Sequence, residues 1–138
     1  MPYRQKSKYG NRRTKVDGIS FHSKVEAQRY VELRAREEAG YISSLHTQHK
    51  FPLEVGGMKV CDYIADFTYY KDGEFVVEDV KGGAVLPDFT IKKKLMKAVH
   101  NIDVRIVRKR SRKGTGVWEV DDRIEEQRLL PIRNDVGS

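Results

Sequence analysis

From Phe75 to Val80 the chain reads Phe-Val-Val-Glu-Asp-Val, a β-branched and aromatic run that opens directly after Asp72-Gly73. Such a run predicts a strand over about 73–81, and Asp-Gly after Tyr69, Tyr70 and Lys71 predicts a hairpin joining it to a strand over about 60–70. A third strand is expected at about 46–55, turned into the second by Gly56-Gly57. The clearest helical pattern covers about 24–39. Ser23 stands as its N-cap, Glu26 three residues on completes a capping box, and Gly40 is its stop. After the loop marked by Gly82, Gly83 and Pro87, residues 88–100 read as a second helix with Phe89, Leu95, Met96 and Val99 as core contacts. Strands are expected at 102–107 and, around Trp118, at 116–120. No internal repeat is visible.

With 138 residues the chain is long enough for one domain with a real core, of α/β or α+β class. Residues 1–16 are polar, basic and poor in aliphatics, which predicts a flexible arm; 17–120 would be the domain and 121–138 a tail, with a short helical stretch ending before Pro131. No apolar run approaches the roughly 20 residues that span a bilayer, and the N-terminus lacks the apolar stretch of a signal peptide, so no membrane role and a cytoplasmic location are expected. The single cysteine, Cys61, reads as a packing residue.

Charge sharpens the picture. The formal net charge is +7, and the basic residues fall in blocks. Arg4, Lys6, Lys8, Arg12, Arg13 and Lys15 form the first; Arg105, Arg108, Lys109, Arg110, Arg112 and Lys113 the second; Lys92, Lys93, Lys94 and Lys97 the third. Clusters of this kind are the footprint expected for a polyanion, most commonly nucleic acid, with a solvated basic surface as the plain alternative.

Against this basic background, two acids stand inside predicted strands. In an extended strand Asp79 and Lys81 share a face while Glu78 and Val80 take the other. The Asp72-Gly73 hairpin would bring the strand of Asp66 beside that of Asp79. Converging carboxylates beside a lysine suit a hard cation such as magnesium or manganese, which takes oxygen ligands. Each group also has a structural explanation. Asp66 could bond a turn, and Asp79 and Lys81 could form an edge-strand ion pair of about 0–1 kcal/mol. The apolar setting of Val76, Val77 and Val80 argues instead for a central strand, where a charge is costly to bury without purpose. Glu26 is accounted for by capping, yet it continues the stripe of Tyr30 and Leu33 at i, i+4 and i+7 that should face the core. His46 and His49, three apart in a predicted strand, should face opposite ways and share no metal. The glycines at 82, 83, 114 and 116 match no phosphate loop, so no nucleotide cofactor is expected.

The order of parts, Ser23-Lys24-Val25-Glu26 on a helix, then Ala65-Asp66-Phe67, then Val77-Glu78-Asp79-Val80-Lys81-Gly82, resembles the PD-(D/E)XK nuclease superfamily. Within it, the chain is similar to small phage-encoded endonucleases and Holliday-junction resolvases, over roughly residues 9–110. One departure is Ala65, where the superfamily's name has proline. The resemblance implies an α/β fold with a restriction-endonuclease-like αβββαβ core, a mixed central sheet flanked by helices. It also implies that Glu26, Asp66, Asp79 and Lys81 are catalytic, and that Mg2+ or Mn2+ sits on Asp66, Asp79, the Val80 carbonyl and Glu26. The implied partner is DNA, branched in the first reading, gripped by Arg12, Arg13, Lys92, Lys93, Lys94, Lys97, Arg108, Lys109 and Arg110. A homodimer follows from two symmetric cuts. For a phage-encoded protein the location would be the bacterial host cytoplasm. A restriction- or transposase-like endonuclease on linear duplex, and a non-catalytic DNA-binding protein, are the competing expectations.

Overall fold

The computed structural model describes residues 13–110 and 117–121. A short hairpin comes first, β1 (Thr14–Val16) and β2 (Ile19–Phe21), turned by Asp17-Gly18 with both residues at positive φ. Thr14–Val16 was expected in the flexible arm. It is a strand instead, because Val16 and Ile19 pack on the core beside Phe21 and the Tyr30 hydroxyl donates to the Asp17 carboxylate. The rest of the arm, and the tail after Asp121, lie outside the described residues.

Helix α1 (Lys24–Glu38) follows, with the Ser23 hydroxyl accepting from the Glu26 amide as the cap predicts. Ala27, Arg29, Tyr30 and Leu33 are its buried residues. Strands β3 (Ser43–Val55), β4 (Met58–Lys71) and β5 (Glu74–Val80) form an antiparallel meander. Its turns are the expected Gly56-Gly57 and Asp72-Gly73, all four at positive φ. Helix α2 (Pro87–His100) opens on the proline, whose missing N–H costs nothing in a first turn, and ends at Asn101 in the left-handed region. That ending displaces the next strand, β6 (Val104–Arg110), two residues beyond its expected start at 102. Strand β7 (Val117–Val120) closes the sheet.

The five-stranded sheet runs β3-β4-β5-β6-β7, antiparallel except for β5 beside β6, which are parallel because α2 crosses between them. This is the expected α/β architecture with a mixed sheet in αβββαβ order. Pro52 sits on β3, an edge strand, where a missing donor is tolerated. Two clusters fill the two sides. Phe21, Ala27, Tyr30, Leu33, Phe67, Tyr69, Val76 and Val80 pack under α1, and Tyr63, Ala65, Val77, Phe89, Met96, Val104 and Ile106 under α2. Cys61 packs at the margin of the second cluster, as expected of a packing residue.

Strand β4 serves both clusters. Tyr63 and Ala65 belong to the α2 side, Phe67 and Tyr69 to the α1 side, although all four are odd-numbered. The change of side falls at Asp66.

Candidate metal centre

Pairing between β4 and β5 begins at the Asp72-Gly73 turn and ends at Phe67 opposite Glu78. One step further the strands part. There the Asp66 carboxylate takes over from the backbone, accepting the Val80 amide at 2.8 Å. A side chain thus satisfies a donor that the diverging ladder would leave bare.

Strand alternation then decides what each acid of β5 meets. Glu78 points to the α1 side, where Arg29 Nε and Nη2 donate to its two oxygens at 2.9 and 2.7 Å and the Tyr69 hydroxyl also donates. The Arg29 guanidinium lies 5.1 Å from the Trp118 ring centre. Asp79 points the other way, as expected. Tyr63 Oη donates to its Oδ2 at 2.9 Å, and Lys81 Nζ lies 3.7 Å from the same oxygen. Lys81 is steadied over the ring of Phe89, 4.1 Å away, in the first turn of α2. Burial and the neighbouring Asp79 carboxylate push the Tyr63 phenol up, which keeps it a donor.

Asp66 and Asp79 are neighbours where the strands part, near enough for each carboxyl to act on the other. Burial foremost, then Asp79 and Glu26, push the Asp66 carboxyl up to about 10, with the Val80 amide opposing. Glu26 is raised too, chiefly by burial, with His22 opposing and Asp79 adding. Ser23 and the His22 backbone also oppose the shift, and the Ser23 hydroxyl accepts from the Glu26 amide, so capping and proximity to the pair coexist. Glu26, Asp66, Asp79 and Lys81 are therefore brought to one end of the sheet. Among the described residues no group of three or more His, Cys, Asp or Glu side chains is placed to hold a metal ion. The donor set is a pair of neighbouring carboxylates with a third acid within electrostatic reach. Magnesium commonly takes one or two carboxylates and keeps its waters, so a pair of this kind could hold it.

The expected basic residues divide. Arg13 and Lys94 are exposed and Lys92 is half-buried. Lys93 is not on the surface; at i+4 from Phe89 and i−3 from Met96 it turns inward, and its Nζ donates to the Val104 carbonyl at 2.7 Å. Lys97 bonds Asp103, Lys109 bonds Gln28, and Arg108 is held by Asp121 and the Gly83 carbonyl. Arg12 and the Arg110 side chain lie outside the described residues.

His46 and His49 correct the alternation argument. Their rings lie 5.9 Å apart on one side, since Gln48 between them adopts φ 52°, a left-handed twist that breaks the two-residue period. Arg29 and Tyr63 are the site's neighbours that sequence reasoning missed. Arg29 had a signal, standing three residues from Glu26 and four from Leu33 on the inward stripe. Tyr63 had none, because its partner is on another strand.

The fold and site define an α/β protein with a carboxylate pair and a lysine at the open end of a mixed sheet. The chain belongs to the family described as "Protein of unknown function (DUF1064)", whose model matches residues 6–115. No curated protein and no solved structure matches it. Among the described residues, no helix is long and apolar enough to cross a membrane.

Proposed function

We propose that this chain is a metal-dependent endonuclease that hydrolyses DNA phosphodiester bonds. The observation that carries the reading is the convergence of Asp66 and Asp79 at the end of the β4–β5 ladder, where Asp66 takes the Val80 amide at 2.8 Å and Lys81 lies 3.7 Å from Asp79. Two carboxylates held together in a partly buried site disfavour full ionisation, and a divalent cation would relieve their repulsion. The order of Glu26, Asp66, Asp79 and Lys81 along an αβββαβ chain, which resembles the PD-(D/E)XK nucleases, supports the same reading.

Asp66 and Asp79 would hold Mg2+ or Mn2+, with the Val80 carbonyl and Glu26, directly or through water, as further oxygen donors. When bound, the cation would acidify a water and neutralise charge on the phosphate. Lys81 would help to orient the attacking water and offset the negative charge that develops on the phosphoryl oxygens. Phe89 under its ammonium limits where Lys81 can swing. Tyr63 fixes one oxygen of Asp79. The exposed cations Arg13 and Lys94, with Lys92, would grip the phosphate backbone without reading sequence.

Within this reading a branched-DNA or Holliday-junction resolvase acting as a homodimer is preferred, since basic arms and shape recognition suit that substrate better than base readout. Incubating the purified protein with linear duplex and with four-way junctions, in Mg2+ or in EDTA, tests it. Metal-dependent cleavage of junctions is the expected result. Cleavage of linear duplex alone would point to a restriction- or transposase-like enzyme, and binding without cleavage of either substrate would leave only a DNA-binding protein.

A further inference from the structure

The point where β4 and β5 separate is bridged by side chains rather than backbone. From β4, Asp66 accepts the Val80 amide of β5 at 2.8 Å. Three residues earlier on the same strand, Tyr63 donates to Asp79 Oδ2 of β5 at 2.9 Å. These two cross-strand bonds lie just beyond the last backbone pair, Phe67 opposite Glu78, and both terminate on the carboxylate pair. Tyr63 is itself closely packed: it is 2% exposed, with its ring 6.4 Å from Phe51 and 6.2 Å from Phe89. Its hydroxyl is therefore aimed at Asp79 by packing.

We propose that Tyr63 is a positioning residue for divalent-cation binding, pinning Oδ2 of Asp79 so that the other oxygen, Oδ1, is presented toward Asp66. The proposal rests on the metal-site reading above. An aspartate carboxylate turns readily about its last torsion, and a hydrogen bond from a buried, rigid donor removes that freedom before the cation arrives. Lys81, 3.7 Å from the same oxygen, is a second partner on that side and reinforces the choice. Tyr63 touches no reacting atom in this arrangement and acts only through Asp79.

The chain contains a matched control. Tyr69 is also buried on β4 and donates to the neighbouring acid, Glu78, but on the α1 side of the sheet. Mn2+ affinity of the full-length protein, measured by titration calorimetry without DNA, should fall about 10- to 100-fold in Tyr63→Phe, the range for partners of metal ligands, and stay within about twofold in Tyr69→Phe. In cleavage assays Tyr63→Phe should raise the Mn2+ concentration giving half-maximal rate, with the rate at saturating Mn2+ reduced less. Wild-type binding with unchanged affinity in Tyr63→Phe would overturn the positioning role and leave the metal-site reading standing. Equal weakening in both variants would overturn it as well, since that is a general loosening of β4. No Mn2+ binding by the wild-type protein would remove the metal-site reading and Tyr63's role together.

Discussion

Glu78 and Asp79 are consecutive, both acidic and both buried, yet the two sides of β5 treat them in opposite ways. On the α1 side Glu78 receives both arms of Arg29 and the Tyr69 hydroxyl, so its charge is compensated where it stands. On the other side Asp79 meets a second carboxylate, Asp66, with the Tyr63 hydroxyl and a looser ion pair to Lys81 at 3.7 Å as its partners. One acid is built into the fold. The other has a second acid beside it, with Tyr63 and Lys81 as its partners, and it is there that the proposed metal site lies. The difference arises from a single step along a strand.

Asp79→Asn should break the functional side outright. Metal-dependent cleavage should vanish, while DNA binding, measured by gel shift, should hold or tighten as acidic repulsion falls. Full activity in this variant would transfer the role to another carboxylate. Breaking the structural side has a different signature. Arg29→Ala strands the Glu78 charge in the core and should cost about 3–5 kcal/mol in denaturant unfolding, the range for removing one partner of a buried pair. A cost below about 1 kcal/mol would mean that Glu78 is not held as a buried ion.

The same comparison predicts a dependence on pH. The folded Asp66 carboxyl lies near 10 against an ordinary 3.8, so it binds a proton more tightly folded than unfolded. Its contribution to stability is full below 3.8 and is lost progressively as pH rises toward 10. In EDTA the melting temperature should therefore decline over that window. Asp66→Asn should flatten the decline, and Mg2+ should oppose it at the alkaline end by binding the ionised pair. An identical pH profile for wild type and Asp66→Asn would dismiss the raised Asp66 carboxyl. The smallest effect is expected at the surface: Lys92→Ala with Lys94→Ala should reduce the slope of log affinity for DNA against log salt by about 2, one for each phosphate contact. An unchanged slope would place the DNA elsewhere.

Much of this was legible from the residues. The Asp72-Gly73 and Gly56-Gly57 turns, the Ser23 cap and the split of Glu78 from Asp79 all follow from local backbone rules, and each stands as expected. The failures have a common origin. Lys93 looked like one more lysine in a basic run until Phe89 and Met96 fixed which face of α2 turns inward. His46 and His49 were separated by a period that Gln48 breaks, and Thr14–Val16 was polar enough to resemble an arm.

The sequence by itself determined the elements, their turns and the face on which each acid of β5 emerges, because those depend on torsions and periods within a few residues. Only the tertiary structure decided that Arg29 neutralises Glu78, that Asp66 leaves the ladder to take the Val80 amide, and that Tyr63 pins Asp79. Those contacts join residues 49, 14 and 16 positions apart, and a local pattern carries no record of which distant side chain will share a buried space.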